Sequence, residues 1–285
     1  MSIFTLSNIS FQYLHCFHLR NKNKHPILEH IKSETIGQIL KVTLSRPDKF
    51  NSFNRAMALE LQKALDEAAT DRNIRAVLLT GEGKAFCAGQ DLSEAMDPSG
   101  PGIERIVQEH YNPIILKIRE LEKPVVCAVN GVAAGAGANI ALACDVVIAG
   151  SSAAFIQAFS KIGLIPDSGG TFFLPRIIGF GRASALMMLG DKVSAVDAQQ
   201  MGMIYKVAED TNLAEEALAI ATALGNMPTK GLGLTKRLLN QSLFNSLSDQ
   251  LEAEGIEQVA AARTYDYNEG VKAFLQKRKP AFKGE

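Results

Sequence analysis

Short apolar runs alternate with helix-patterned segments through the first half of the chain, and this alternation constrains the fold more than any other feature. Ala76-Val77-Leu78-Leu79-Thr80, Pro124 to Val129 and Val146-Val147-Ile148-Ala149 carry almost no polar side chains. A strand with one wet face alternates apolar and polar residues, whereas an unbroken apolar run is a strand covered on both faces. Ile36 to Ser45 alternates in part and predicts a further strand. Arg46-Pro47-Asp48 ends it, because the residue before a proline is pushed out of regular continuation. Asn54 predicts a helix cap, with Met57, Leu61, Leu65 and Ala68 at helical spacing as far as about Thr70. Ile103 to Leu121 predicts a second helix, and Ala136 to Ala143 a third built from small residues. Gly81, Gly83 and Gly89 predict a loop around Phe86-Cys87-Ala88. Strands alternating with helices imply an α/β architecture, its sheets covered by helices.

Near residue 210 the pattern changes class without a Gly/Pro linker. Leu213 to Leu224, Thr235 to Leu247, Asp249 to Thr264 and Asn268 to Lys277 all predict helices. The expected organisation is therefore an α/β core over 27–210 and a helical region over 211–285. Residues 1–26 look foreign to both. They hold four aromatics and the basic run Arg20 to Lys24, and the first acid is Glu29. Charge and apolar residues stand in the wrong order for a secretory signal, and a single Arg is too few for a transit peptide. A poorly ordered extension is the expectation there.

Composition narrows the function classes. With 285 residues, 47% of them apolar, the chain can bury a sizeable core. A formal net charge of zero and no long basic run argue against a nucleic-acid partner. No apolar run approaches the roughly 20 residues needed to span a bilayer. Cys16, Cys87, Cys127 and Cys144 lie far apart in apolar segments, which predicts buried free thiols in a reducing, cytoplasmic compartment. The final Lys283-Gly284-Glu285 is not a peroxisomal address. Four of the five histidines precede residue 31, and no metal site is expected.

Two glycine-rich turns stand out. The first, Gly135-Ala136-Gly137, follows a strand and opens a helix. It lacks a third glycine, since Ile140 stands there, and Gln157 stands where a dinucleotide fingerprint has its acid. Close helix–strand packing and close approach of a ligand to backbone N–H groups both explain it. The second turn lies in the run Lys161 to Arg176, KIGLIPDSGGTFFLPR. Its acid, Asp167, follows an apolar stretch at a helix start and is either a helix cap or a proton-transfer group. Ser168 is not in a nucleophile-elbow pattern, and no histidine follows His110, so a Ser-His-acid triad is not expected. Gly81-Glu82-Gly83-Lys84 lacks phosphate-loop spacing, and Asp91 and Asp145 read as structural hydrogen-bonding residues.

Four stretches, in order and spacing, resemble the crotonase superfamily of enoyl-CoA hydratases and isomerases. They are Leu44-Ser45-Arg46-Pro47 with Asn51; Lys84 to Leu92; Asn130 to Gly137 with Cys144-Asp145; and Ile165 to Thr171. The resemblance covers about residues 27–285. It implies a spiral of ββα units, a helical C-terminal trimerisation region, an acyl-CoA thioester substrate, and no cofactor beyond the CoA of that substrate. It also implies a homotrimer or a dimer of trimers. Carried onto this sequence, the oxyanion hole falls on the backbone N–H groups of Gln90 and Ala136, with Gly135 allowing close approach.

Hydratases of the superfamily carry two glutamates, and the matching positions here are Asn139 and Phe159. Neither takes a proton from water. Adding water across a double bond requires two acid/base groups, whereas carrying a proton between two carbons requires one. The departure favours an isomerase with Asp167 as its acid/base and Asn139 and Phe159 lining the substrate pocket. It also leaves room for an inert acyl-CoA-binding member. GLIPDSGGT, Gly202-Met203-Ile204, Thr229 to Leu234 and the Tyr267 to Leu275 region are similar to the isomerase branch acting on ring-epoxidised phenylacetyl-CoA. CoA contacts are expected at Arg46, Ala88, Asp91 and Leu92, and at Phe274 and Lys277 from a neighbouring subunit.

Overall fold

The computed structural model describes residues 29–285, so the expected extension over 1–26, and Cys16 with it, lies outside the described residues. The chain opens with a hairpin of β1 (Ile31–Ile36) and β2 (Ile39–Leu44), paired antiparallel from Ile31↔Leu44 to Ile36↔Ile39. Ile36 therefore ends one strand instead of starting the next. The first limb, IKSETI, is too polar to announce itself because it is an edge strand. Asn54 caps α1 (Arg55–Thr70), its side chain accepting from the Met57 N–H at 2.9 Å.

β3 (Ala76–Gly81) leads directly into β4 (Ala85–Cys87). The expected loop around Phe86 is thus a strand. Three short helical pieces follow: α2 (Leu92–Ala95), α3 (Gly102–Arg105) and, after a π-helical turn over Ile106–Tyr111, α4 (Asn112–Glu120). The next unit is β5 (Val125–Val129), β6 (Val132–Ala134) and α5 (Ala136–Leu142). After it come β7 (Val146–Gly150), β8 (Ala154–Ile156), α6 (Gly170–Ile178) and α7 (Phe180–Leu189). β9 (Lys192–Ser194), α8 (Ala195–Gln200) and β10 (Lys206–Ala208) complete the α/β part.

The strands sort into two sheets. One has the order β1-β2-β3-β5-β7-β10 and is parallel from β2 onward; the other has the order β4-β6-β8-β9, with β9 antiparallel. From β3 to β8 each pass of the chain lays one strand in each sheet and returns through helix. This is the crotonase-type spiral of ββα units. The switch between sheets demands close backbone approach: a Cβ on Gly131, between β5 and β6, would sit 2.2 Å from the Lys84 carbonyl oxygen.

The two-sided burial inferred from the apolar runs is visible residue by residue. Val77 and Leu79 of β3 and Val125, Cys127 and Val129 of β5 face the main core with α1, α4 and α5. Their neighbours Ala76, Leu78, Val126 and Ala128 face a second core. That second core is closed by Leu213, Ala217 and Ala221 of α9 (Leu213–Gly225).

Three further helices follow: α10 (Thr229–Gln241), α11 (Leu247–Ala262) and α12 (Tyr265–Leu275). α10 starts six residues before its expected Thr235. Gly231 and Gly233 disguise it, yet Gly233 fits because a Cβ there would lie 2.6 Å from the Glu122 carbonyl oxygen. Asp145 ties this region to the core by accepting from Arg119 Nη1 (2.9 Å), Lys236 Nζ (2.7 Å) and the Val125 N–H (2.8 Å). Its structural reading stands. Cys87, Cys127 and Cys144 are buried free thiols. Among the described residues no helix is long and apolar enough to cross a membrane, and no acid, His and Cys cluster is gathered for a metal ion.

Candidate functional site

A cavity of about 590 Å³ opens where the strands of the smaller sheet end. β4 and β6 pair in parallel, with Cys87 opposite Ala133, so the residues that follow them emerge side by side. Those residues are Gly89-Gln90 and Gly135-Ala136. Gly89 has φ +93°, and a Cβ on it would lie 3.0 Å from the Ala134 carbonyl oxygen and 3.6 Å from the Ala136 nitrogen. Only glycine permits that approach. Gly135 turns the chain into α5 with φ +52°, and its Cα faces the Phe159 ring.

The backbone around these glycines is otherwise paired. Gly89 accepts from the Phe53 N–H at 2.7 Å, and the Asp91 N–H donates to Phe53 at 2.8 Å. The N–H groups of Gln90 and Ala136 have no acceptor among the described residues. Ala136 is the first residue of its helix, where the N–H has no intrahelical partner. Two free donors at one wall of a largely apolar cavity can stabilise negative charge on an oxygen seated between them.

Gln90 is also held by its side chain. Tyr111 Oη donates to Gln90 Oε1 at 2.8 Å, and Gln90 Nε2 donates to Glu94 Oε2 at 3.0 Å. Glu94 Oε1 in turn accepts from the Arg55 N–H at 2.9 Å. Tyr111, buried, ends the π-helical turn, and Ile106, Val107 and Tyr111 from that turn line the cavity. Burial pushes the Tyr111 phenol well above its ordinary value, helped by the nearby Cys87, Asp167 and Glu94. The sequence carried no sign of this arrangement, because an aromatic residue in an apolar helix reads as core.

Asp167 also lines the cavity, the one carboxylate among its described lining residues. The cap reading of Asp167 is not what the structure contains. α6 has no side-chain cap; the Gly170 N–H donates at 2.9 Å to the backbone carbonyl of Asp167. The carboxylate instead accepts from Ser168 Oγ at 2.9 Å. Burial raises the Asp167 carboxyl above the ordinary carboxylate range, and the Ser168 hydrogen bond opposes part of that rise. The direction of this shift was not legible in the sequence.

The expected site residues divide. Ala88, Gln90, Leu92, Gly135, Ala136, Phe159 and Asp167 all line the cavity. Asn139 does not, which corrects its expected place in the pocket. It is buried behind the wall, its Nδ2 donating to the Asp167 carbonyl (2.8 Å) and its Oδ1 accepting from Gln157 Nε2 (2.8 Å). Arg46 and Asp91 are outside the cavity lining too. They pair with each other at 3.0 Å, both half-buried, because the loop that follows β2 folds over the one that follows β4. Asn51 locks that fold by accepting from the Arg46 N–H (2.9 Å) and donating to the Ala85 carbonyl (2.8 Å). Asp91 also caps α2 by accepting from the Ser93 N–H. Burial would raise its carboxyl, yet hydrogen bonds from Arg46 and Ser93 hold it below the usual range. Phe274, 83% exposed, belongs to a different groove beside Tyr267 and Val271, and neither it nor Lys277 reaches this cavity.

A family model described as enoyl-CoA hydratase/isomerase matches residues 34–285. The chain belongs to that family. It is 48% identical over 262 residues to the 1,2-epoxyphenylacetyl-CoA isomerase of Escherichia coli K12, covering 91% of this chain and 100% of the relative. It is 35% identical to the 2,3-dehydroadipyl-CoA hydratase of the same organism, covering 87% of this chain and 96% of the relative. Among solved structures, an enoyl-CoA hydratase from Bacillus anthracis matches with a TM-score of 0.84 at 34% identity, over 90% of this chain and 100% of that one. The protein is thus an enzyme of a family whose members include acyl-CoA isomerases and hydratases. Relatives of both kinds lie within reach, so the chemistry of the cavity has to discriminate between them.

Proposed function

We propose that the protein is an acyl-CoA isomerase that converts 1,2-epoxyphenylacetyl-CoA to its oxepin-CoA isomer, with Asp167 as the acid/base. The observation that carries this reading is that Asp167 is the single carboxylate among the described residues lining the cavity, and that the unpaired backbone N–H groups of Gln90 and Ala136 line the same cavity. A thioester oxygen seated on the Gln90 and Ala136 N–H groups would draw charge from the adjacent carbon. Asp167 would then move a proton between carbons on one face of the substrate. The raised carboxyl suits that work, since a base closer to neutrality both accepts and returns a proton readily. Hydration requires a second acid/base group, and Phe159 supplies none while Asn139 is turned away. The same machinery would shift the double bond of a 3-enoyl-CoA to the 2-position, a second reading favoured by the same groups.

The copy number belongs to this reading. Phe244 and Phe274 are 75% and 83% exposed, Phe172 stacks on Phe244, and α11 buries none of its residues fully. We propose a homotrimer or a dimer of trimers, in which Phe274 and Lys277 serve the cavity of a neighbouring copy. A monomer by light scattering at micromolar concentration would count against it.

The test of the activity is incubation with a 3-enoyl-CoA and with crotonyl-CoA, using wild-type protein and Asp167→Asn. Isomerisation without hydration is expected. General acid–base groups contribute typically about 10²–10⁴-fold, so kcat in Asp167→Asn should fall by at least about two decades while acyl-CoA binding persists. Turnover within about threefold of wild type, or hydration of crotonyl-CoA, defeats the assignment.

A further inference from the structure

Ser168 is the strained residue of the site. It is buried, 1% exposed, and holds φ +51°, a left-handed conformation that a residue with a Cβ adopts at a cost. Glycine would meet that angle freely, and glycines follow at once at 169 and 170. The peptide before it is clamped. The Asp167 carbonyl accepts from Asn139 Nδ2 at 2.8 Å and from the Gly170 N–H at 2.9 Å. With that peptide fixed, the left-handed turn brings Ser168 Oγ to Asp167 Oδ1 at 2.9 Å, its only hydrogen-bond partner among the described residues. Among the described residues no other side chain donates to the carboxylate, whose remaining hydrogen bond comes from the Asp167 N–H itself. Strain of this kind persists where the surroundings enforce it, and it gathers at functional sites.

We propose that Ser168 is a positioning residue for the acid/base: its hydroxyl fixes Oδ1 of Asp167, sets the plane of the carboxylate, and leaves Oδ2 to exchange the proton with substrate. This rests on the reading of Asp167 as the acid/base. A hydroxyl donating to a carboxylate favours the ionised form, which is the form that accepts a proton. Ser168 thus offsets part of the effect of burial on its neighbour and keeps the base available at lower pH. The serine hydroxyl itself makes and breaks no bond.

The test compares Ser168→Ala and Ser168→Gly with wild type and with Asp167→Asn in the full chain, following kcat/KM for a 3-enoyl-CoA against pH. Alanine removes the hydroxyl and keeps the Cβ. Glycine removes the hydroxyl and relieves the backbone, so it folds even if the alanine variant does not. In both, the acid limb should move to higher pH. The ratio of turnover at low pH to turnover at high pH should fall by roughly two- to tenfold, the worth of one hydrogen bond. The melting temperature of the glycine variant should be no lower than that of the alanine variant. An unmoved limb in both variants, with turnover reduced evenly at all pH values or only the melting temperature changed, overturns the proposal. If the limb is unmoved while Asp167→Asn is inactive, Ser168 alone loses its role. If Asp167→Asn keeps its activity, the acid/base reading falls and this proposal with it.

Discussion

Replacing Asn139 by alanine removes the side chain that spans from Gln157 to the peptide of the acid/base. The cost follows from what is stranded. Gln157 Nε2 loses its partner, and Gln157 Oε1 already has none among the described residues, so a buried side-chain amide is left with no hydrogen bond to any of them. A stranded buried polar group costs about 1–3 kcal/mol. The Asp167 carbonyl loses one of its two donors but keeps the Gly170 N–H, which adds about 1 kcal/mol for the lost bond. We expect Asn139→Ala to lose about 2–4 kcal/mol of unfolding free energy. Urea titration reads this as a lower midpoint with an unchanged slope. Turnover should fall as well, by less than in Asp167→Asn, because the carboxyl remains and only its backbone is loosened. Adding Gln157→Ala should restore part of the lost stability, since it removes the stranded amide; that non-additivity is the signature of a shared network. A loss below about 0.5 kcal/mol would refute the ladder of amides as the support of this loop.

Two further outcomes follow from the same geometry. Gly89→Ala places a methyl 3.0 Å from the Ala134 carbonyl oxygen at φ +93°, so it should displace the Gln90 N–H and cut kcat/KM by about two decades, the order of one lost oxyanion donor; steady-state kinetics giving near wild-type kcat/KM would exclude that role. The Asp167 carboxyl is raised above its unfolded value, so its contribution to stability is fully present below the unfolded pKa and is lost as pH rises through the folded one. Asp167→Asn should therefore melt higher than wild type at pH 8, with the difference shrinking toward acid pH; a lower melting temperature at pH 8 contradicts the sign.

Hydrophobic runs announced β3, β5 and β7 because each is buried on both faces, as Val77 and Leu78 illustrate by facing different cores. The three-residue strands β4, β6 and β8 carry too few residues to show a period, and they exist because the neighbouring turn of the spiral pairs with them. Motif spacing located Gln90, Ala136, Phe159 and Asp167 at one cavity. It misjudged side-chain direction. Asn139 stands at a position matched to a catalytic carboxylate, yet its amide finds the Asp167 carbonyl and the Gln157 side chain as partners and turns away. The pairing of Arg46 with Asp91 was not legible, because nothing in a sequence tells that two residues 45 positions apart meet. Ser168 was visible in the motif, but its left-handed backbone was not.

The spiral also sets an order of assembly. Parallel neighbours in the larger sheet are closed by loops of unequal length: Val126 pairs with Val146, 20 residues on, whereas Val77 pairs with Val125 and Ile148 with Lys206 across 48 and 58 residues. Chain-closure entropy grows with that separation, and non-local pairing slows folding. Among the parallel pairs the β5-β6-α5-β7 turn is therefore the cheapest nucleus, and φ-values there should exceed those in β10. That same turn carries the Ala136 N–H. Damage to this wall of the cavity would then be felt twice, in the rate at which the enzyme is made as well as in the reaction it performs.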